Sequence, residues 1–529
     1  MIDRELHKAR ALLIEGNALL RSVGVAQLKD VGVGHVVQCQ RVRDARLLLE
    51  REHFDIVLCS REFEGADISG QDLLDELRRE QLLPQSTVFL MTTAEPTYHQ
   101  VVEAAESALD GLIVRPYNAA TLAERLLEAR QRKLALADVL RALDAGELEV
   151  AFARALKRFQ EQQPYWPAAG RIAGELLLRL RRSADACKIF ESLVRVKPTA
   201  WVRLGLARAQ LGAGELVQAR DTIQAVLADE PSSADAHEWL GRVQLAQGDL
   251  TAALASWCHA AEITPGCLVR LQQAGRLAHV LGDDASALVH LERAQSLGAA
   301  SKLFDPYTWL ALAWMRFDAG QAEALRQLSD AATRAAERQP VPARLQRIEQ
   351  AIQALALGEV AADQREALAS DAMAESFDIE AAQITLGTLA RLPALDPPPG
   401  RLDLVDRIAR RHCVSRTCTE TLAAVVRPDP AIVERVRACH AQVSEHTDRA
   451  VNRSMRGDRA GAATELLRLG THTLNTRLLE AAAVIARRQG ADGQALDEVR
   501  IQAEELLARL PEPTDGLGGR RLHRGAAAR

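Results

Sequence analysis

The sequence predicts a multidomain protein, in which an α/β domain with a doubly wound sheet of five parallel strands precedes an all-α superhelix of repeats. Two observations predict this fold class. Over the first 133 residues, short apolar runs alternate with helical patterns. A period of 34 residues then runs through a purely helical segment. A chain of 529 residues also exceeds the size that one hydrophobic core usually supports.

The α/β domain, predicted for residues 1–133, rests on five apolar runs that are typical of buried parallel strands. The runs are ALLI (11–14), HVVQC (35–39), DIVLC (55–59), TVFLM (87–91) and GLIV (111–114). A segment with helical spacing follows each run. Ligands of such sheets bind beyond the carboxyl ends of the strands, and these ends fall at Glu15–Asn17, Ser60, Thr93 and Arg115.

These strand ends carry a resemblance to a known family. Over essentially its whole length, the predicted α/β domain resembles a response-regulator receiver domain. That family places an acid pair after strand one, a phosphoacceptor Asp after strand three, a Thr or Ser after strand four and Lys-Pro after strand five. The matching residues here are Glu15-Gly16, Ser60, Thr93 and Arg115-Pro116.

The departures from the family pattern predict a receiver fold without phosphotransfer. Phosphotransfer needs Mg²⁺, which binds carboxylate oxygens, and only Glu15 remains of the three acids that would surround it. The Ser60 hydroxyl is un-ionised and no base is evident beside it. We expect Arg115 to pair with Glu15 as a structural ion pair, with no Mg²⁺ or other cofactor bound. The alternative is residual phosphorylation of a working response regulator.

The resemblance also implies a surface. In receiver domains the fourth and fifth helices, with the strand between them, often form a dimer or partner contact. The matching segment here is 98–130. The alternative is a solvated outer face without a partner.

The helical segment that follows repeats every 34 residues, most clearly over 200–299, within a solenoid predicted for 134–392. It resembles the tetratricopeptide repeat. In the best copy the signature residues are Gly241, Gly248, Ala253, Trp257, Ala260 and Pro265. Small residues let two antiparallel helices approach closely, glycine makes the turn between them, and proline ends the unit.

Stacked helix pairs of this kind form a superhelix with a concave surface, lined by the first helix of each pair, which commonly holds a peptide or a partner helix. Polar residues on the predicted first helices are therefore candidate contacts to a protein partner. They are Arg203, Gln210, His237, Gln244, Arg270 and His279. For each of them the alternative is a solvated helix face.

The rest of the chain is less legible. PALDPPPG (393–400) predicts a linker, residues 401–510 return to amphipathic helices, and 511–529 predict a disordered tail. One cluster has residue types that zinc accepts, namely His412-Cys413, Cys418 and Cys439-His440. Its spacing lacks a Cys-x-x-Cys knuckle, so we expect core thiols and no metal.

Composition narrows the function classes. The net charge is −5 with both signs well mixed, which gives no electrostatic case for a nucleic-acid partner. No apolar stretch is long enough to span a bilayer, and the first residues lack the pattern of a secretory signal. Scattered cysteines are typical of reduced thiols. We expect a cytoplasmic protein that binds neither nucleic acid nor membrane.

These predictions converge on a signal-transduction adaptor of the two-component or phosphorelay class, with a receiver-like domain coupled to a protein-binding repeat scaffold. Catalytic signatures such as a Walker loop, Gly-x-Ser-x-Gly or His-Glu-x-x-His are absent from the sequence, so no enzyme is expected. Two alternatives stay open. One is a phosphorylatable response regulator with repeat output, and the other is an enzyme within 300–510, which would present a cleft with clustered acids, histidines or thiols.

Overall fold

A computed structural model gives the fold as two compact units. The first comprises residues 1–271, 296–304 and 520–529, and the second comprises 272–295 and 305–519. The structure describes residues 6–63, 69–79, 82–94, 109–299, 301–336, 343–358, 372, 374–392, 399–487, 493–511 and 517.

The first unit begins with the predicted sheet. Within the described residues its strands are β1 (Arg10–Ile14), β2 (His35–Cys39), β3 (Ile56–Ser60), β4 (Val88–Thr93) and β5 (Gly111–Val114). All pairings are parallel, and the order is β2-β1-β3-β4-β5. The predicted five-stranded parallel sheet is therefore confirmed.

Helices cover both faces of this sheet. They are α1 (Ala18–Asp30), α2 (Val42–Arg51), α3 (Gly70–Arg79) and α4 (Ala119–Ala135). Neighbouring strand residues point to opposite faces, so Leu12 packs in the core beneath α2 and α3, whereas Leu13 packs beneath α1 and α4. The helix predicted after the fourth strand falls on 95–108, outside the described residues.

The register of the strands brings their carboxyl ends to one edge. Ser60 of β3 pairs with Thr92 of β4, and Thr93 pairs with Val114, the last residue of β5. The residues that follow β1 and β5 lie at the same edge, because these strands are parallel to β3 and β4. The candidate pocket residues are thus gathered by the topology of the sheet.

Antiparallel helix pairs follow the sheet in the first unit. They are α5 (Ala137–Asp144), α6 (Leu148–Gln160), α7 (Trp166–Arg179), α8 (Ser183–Val196), α9 (Ala200–Gly212), α10 (Leu216–Asp229), α11 (Ala234–Ala246) and α12 (Leu250–Ile263), and then α13 (Leu268–Leu281) begins. The repeat signature explains their packing. A Cβ on Gly241 would lie 2.4 Å from the Trp257 ring, so only glycine permits this approach. Ala253 and Ala260 are fully buried on the facing helix.

The turns within the pairs obey the same column of the repeat. Gly214 and Gly248 have φ angles of 82° and 80°, a left-handed conformation that favours glycine. Each is followed by an acid, and the Asp249 carboxylate accepts a hydrogen bond of 3.0 Å from the Ala252 amide. The sequence column of glycine and acid therefore marks the turn and the start of the second helix.

The second unit is also helical where it is described. Its elements are the remainder of α13 and α14 (Asp284–Gly298, whose last residues belong to the first unit), α15 (Tyr307–Asp318), α16 (Ala322–Ala336), α17 (Ala343–Leu357), α18 (Ile379–Arg391), α19 (Pro399–His412), α20 (Arg416–Val425), α21 (Pro430–Met455), α22 (Arg459–Thr473), α23 (Thr476–Arg487) and α24 (Gly493–Arg509). Trp314 is the largest fully buried side chain, and Gly387 packs against its ring. Most of the predicted linker, 393–398, lies outside the described residues. Among the described helices, none has the length and apolar character needed to cross a membrane.

Candidate functional site

A cavity of about 290 Å³ opens at the carboxyl edge of the sheet. Four of the residues predicted from the strand ends line it, namely Glu15, Ser60, Arg115 and Pro116. Apolar side chains of α1 and the Tyr117 ring complete its wall. The sequence therefore places the right residues at one edge, and their chemistry decides what the cavity can do.

Arg115 fills the centre of the polar side of this cavity. Its Nη1 lies 3.1 Å from Glu15 Oε2, which is the ion pair expected from the sequence. Its Nη2 lies 3.2 Å from Glu62 Oε2. The second oxygen of Glu15 accepts a hydrogen bond of 2.9 Å from the Asn17 amide, at the start of α1. The planar guanidinium thus bridges two carboxylates, as its fork of donors allows.

Sequence reasoning missed Glu62. Its Oε1 accepts a hydrogen bond of 2.7 Å from the Thr93 hydroxyl, so the predicted threonine is bound to this acid. Glu62 lies in the loop after β3, where no periodic pattern singles out one acid among others. The available signal is its position close to the end of a strand, and acids are common in such loops.

Ser60 is not poised to act as a nucleophile. Its hydroxyl donates a hydrogen bond of 3.0 Å to the backbone carbonyl of Glu62, and the residue is 1% exposed. Activation of a serine needs a base that accepts its proton. Since a carbonyl takes that place, the structure gives Ser60 no activating partner among the described residues.

Gly16 stands where the receiver family has its second acid. A Cβ built on Gly16 would lie 3.5 Å from the Phe63 ring and 3.8 Å from the Gln40 carbonyl oxygen, which are ordinary contacts. The backbone therefore leaves space for a side chain, and the missing carboxylate is not imposed by the fold at this position.

The sheet order, with an acid, a hydroxyl and a cation at its carboxyl edge, defines an α/β signalling domain of the receiver type. A family model described as "Response regulator receiver domain" matches residues 11–127. The chemotaxis protein CheY-3 of Vibrio cholerae is 32% identical over 117 residues, which cover 22% of this chain and 88% of the relative. Chemotaxis protein CheY of Pseudomonas aeruginosa is 27% identical over 123 residues, covering 23% and 97%. Through this segment, the chain belongs to the response-regulator receiver family.

The helical region has its own matches. A family model described as "Tetratricopeptide repeat" matches residues 171–232 and 204–266. Among solved structures, MamA from Desulfovibrio magneticus RS-1 is 20% identical with a TM-score of 0.27, covering 31% of this chain and 93% of that chain. A thermophilic TPR protein of Thermus thermophilus, TTC0263, is 22% identical with a TM-score of 0.28, covering 35% and 98%. These two scores are too low to support any argument.

The polar residues predicted to line the repeat surface bind within their own repeats. Gln210 Oε1 accepts from the Thr222 hydroxyl at 2.9 Å, and Gln244 Oε1 accepts from Ser256 at 2.8 Å. These two bonds occupy equivalent positions of successive repeats. Arg203 pairs with Asp229 at 2.7 Å, while a ring nitrogen of His237 lies 2.9 Å from the Pro231 carbonyl oxygen. A partner role for these four residues stays a prediction.

The expectation for Arg270 and His279 is corrected. Both side chains are buried, so they are not solvent-facing contacts for a partner. Arg270 pairs with the buried Glu238 at 3.2 Å, and His279 Nδ1 lies 2.9 Å from Asp284 Oδ1. A helical pattern cannot tell a polar residue that faces water from one that faces an acid on a neighbouring helix.

The histidine and cysteine cluster of the second unit has the character of a core. Cys413, Cys418 and Cys439 are buried. Burial and the nearby Arg411 lower the pKa of His412 to about 3. Within the described residues, no three His, Cys, Asp or Glu side chains are placed to hold a metal ion. The cavity beside His412 has about 30 Å³, which has room for a few water molecules.

A contact inside the first unit was not predicted. Glu76 of α3 pairs with Arg46 of α2 at 2.6 Å, and the two side chains are 1% and 3% exposed. The same carboxylate accepts a hydrogen bond of 3.0 Å from the Leu268 amide, the first residue of α13. A negative charge at a helix N-terminus is favourable. The receiver domain therefore caps a helix of the repeats.

Glu50 of α2 makes the second part of this contact. One oxygen accepts a hydrogen bond of 2.7 Å from the Lys302 amide, and the other accepts from the Ser301 hydroxyl. We refer to the pair Glu50 and Glu76, with Arg46, as the receiver–repeat contact. Because Glu50 and Glu76 are buried in it, the α2–α3 surface of the receiver is already occupied within this chain.

Proposed function

We propose that this protein is a signalling adaptor of the two-component class, in which a receiver domain acts without phosphotransfer as a fixed part of a protein-binding repeat scaffold. The observation that carries the proposal is the bridge of Arg115 between Glu15 and Glu62. It stands in the pocket where the family holds its metal and its phosphoacceptor.

The chemistry of that pocket supports the proposal. A divalent cation would need carboxylate oxygens that are free to face it, whereas one guanidinium already neutralises both acids. The Ser60 hydroxyl is bound to a carbonyl oxygen. Neither Mg²⁺ nor another cofactor therefore has a role in the proposed function.

The receiver–repeat contact supports the second part of the proposal. Its carboxylates accept hydrogen bonds from two backbone amides of the repeat region, of Leu268 and Lys302. A receiver held in this way can position the repeats for a partner without any change in its own state. We further propose that the partner is a protein and that the adaptor is cytoplasmic and not an enzyme.

The test is capture of partners by the full chain. A cut after residue 133 would expose the buried Glu50 and Glu76, so separate halves are poor bait. Wild-type chain and the Ser60→Ala variant are immobilised, with and without prior treatment with a small-molecule phosphodonor and Mg²⁺, and captured proteins are quantified by mass spectrometry. We expect the same partners in the same amounts, within about twofold, in all four samples.

Two outcomes would contradict the proposal. If the phosphodonor changes capture by the wild type but not by Ser60→Ala, the chain is a phosphorylatable response regulator. If no protein is enriched over bare resin in any sample, the repeats are not a protein-binding scaffold.

A further inference from the structure

Leu517 of the C-terminal tail is bound inside the second unit. The residue is 2% exposed, and its backbone carbonyl oxygen accepts a hydrogen bond of 3.0 Å from Arg276 Nη1. The flanking residues 512–516 and 518–529 lie outside the described residues. A tail predicted to be disordered thus has one residue that is fixed on the repeats.

Arg276 is held rigidly for this contact. Its Nη2 lies 2.7 Å from Asp305 Oδ2, and its guanidinium carbon lies 4.6 Å from the centre of the Tyr307 ring. Asp305 is itself fixed by Arg344 at 2.6 Å. An ion pair and a cation–π contact therefore leave Nη1 directed at the tail carbonyl before any ligand arrives. Such preorganisation reduces the entropy cost of binding a peptide.

The place of the contact matters. Arg276 lies on α13 and Tyr307 on α15, and each is the first helix of its pair. In stacked helical repeats the first helices form the concave surface that commonly holds a peptide. The hydrogen bond to Leu517 is made to a backbone carbonyl, which is a recognition that suits an extended segment of chain.

We infer that Arg276 and Tyr307 form a peptide-binding site, and that the chain's own segment around Leu517 occupies it. The sequence of that segment is Asp515-Gly-Leu-Gly-Gly519, in which glycines on both sides of the leucine allow a close approach of the backbone. The ligand class is an extended peptide with one leucine between small residues. A partner with such a segment must displace the tail.

This inference deepens the proposed scaffold function, because it names one site and its ligand. A tethered tail is present at an effective concentration of about a millimolar, so it competes strongly with a ligand in solution. Binding of a free peptide should therefore depend on whether the tail retains its leucine.

The experiment uses a fluorescein-labelled peptide with the sequence of residues 513–521, titrated with the full chain and followed by fluorescence anisotropy. The variant Leu517→Asp removes the leucine from the tail and leaves every repeat residue unchanged. We expect this variant to bind the peptide at least tenfold more tightly than the wild type does. Leu522→Asp makes the same change further along the tail and should behave as the wild type.

A peptide in which the same leucine is replaced by aspartate serves as the specificity control and should not bind either chain. Equal binding of the labelled peptide to wild type and Leu517→Asp would overturn the inference, as would the absence of binding to both. This readout involves neither cellular partners nor phosphodonor. If the peptide fails while capture from lysate succeeds, the inference falls and the proposed function stands.

Discussion

Glu76→Ala is expected to destabilise the first unit by about 3–5 kcal/mol, the usual effect of removing one partner of a buried ion pair. The variant leaves the Arg46 guanidinium, 3% exposed, without the carboxylate at 2.6 Å. It also removes the acceptor of the Leu268 amide at the start of α13. The loss is measured by urea titration with hydrogen exchange, read on peptides of β1, β3 and α13.

The matched control is Glu128→Ala on α4. Glu128 pairs with Arg125 at 2.9 Å, but these side chains are 56% and 47% exposed. Because solvent screens such a pair, its loss should change stability little. If the Glu76 and Glu128 variants lost the same stability, the receiver–repeat contact would not matter to the fold. A double variant, Arg46→Met with Glu76→Leu, should recover part of the loss, since apolar residues can replace a buried pair.

Asp305→Asn should destabilise the second unit by about 3 kcal/mol at neutral pH, at the low end of the range for a buried pair because Arg344 is 42% exposed. The change leaves the guanidiniums of Arg276 and Arg344, at 2.7 and 2.6 Å, without their shared carboxylate. Exchange of peptides from α15 and α17 reports the effect. Asp330→Asn, on the exposed surface of α16, is the same chemical change without these contacts.

The effect of Asp305→Asn should depend on pH. Burial alone would raise the pKa of Asp305, but Arg276 and Arg344 outweigh it and hold that pKa well below its usual range. A carboxylate whose pKa is lower in the folded state contributes its full stability above the unfolded pKa of about 4, and loses it as the pH falls further. The gap between wild type and Asp305→Asn should narrow from about pH 5 to about pH 3. A constant gap would contradict the assigned ion pairs.

Local patterns carried most of the fold. Two strands, His35–Cys39 and Gly111–Val114, lie where the sequence predicts them, because a buried parallel strand needs a continuous apolar run. Gly282, the next glycine of the 34-residue column, also has a positive φ of 85°. Each of these signals depends on a few adjacent residues or on a fixed repeat.

Contacts between distant segments left no such signal. Glu76 and Leu268 are 192 residues apart, Glu50 and Ser301 are 251 apart, and Arg276 and Leu517 are 241 apart. None of these partners belongs to a periodic pattern, since each contact depends on how complete elements pack together. The same limit explains why Arg270 and His279 were expected to face a partner.

The site was predictable in part for the same reason. Glu15, Ser60 and Arg115 follow apolar runs, so the parallel sheet alone brings them to one edge. Glu62 lies in a loop, and its role in bridging Thr93 and Arg115 depends on the path of that loop. The acid that completes the inert pocket therefore emerged only from the structure.

The most direct test of the central claim is whether the receiver pocket accepts a phosphoryl group. The full chain is incubated with Mg²⁺ and acetyl phosphate, and its intact mass and its peptides from residues 11–63 are measured. A variant that restores the family residues, Gly16→Asp with Ser60→Asp and Arg115→Lys, is treated in parallel as the positive control. We predict that the restored variant gains a phosphoryl group at position 60 while the wild type remains unmodified. A phosphoryl group on the wild-type receiver, at a level comparable to the restored variant, would contradict the account.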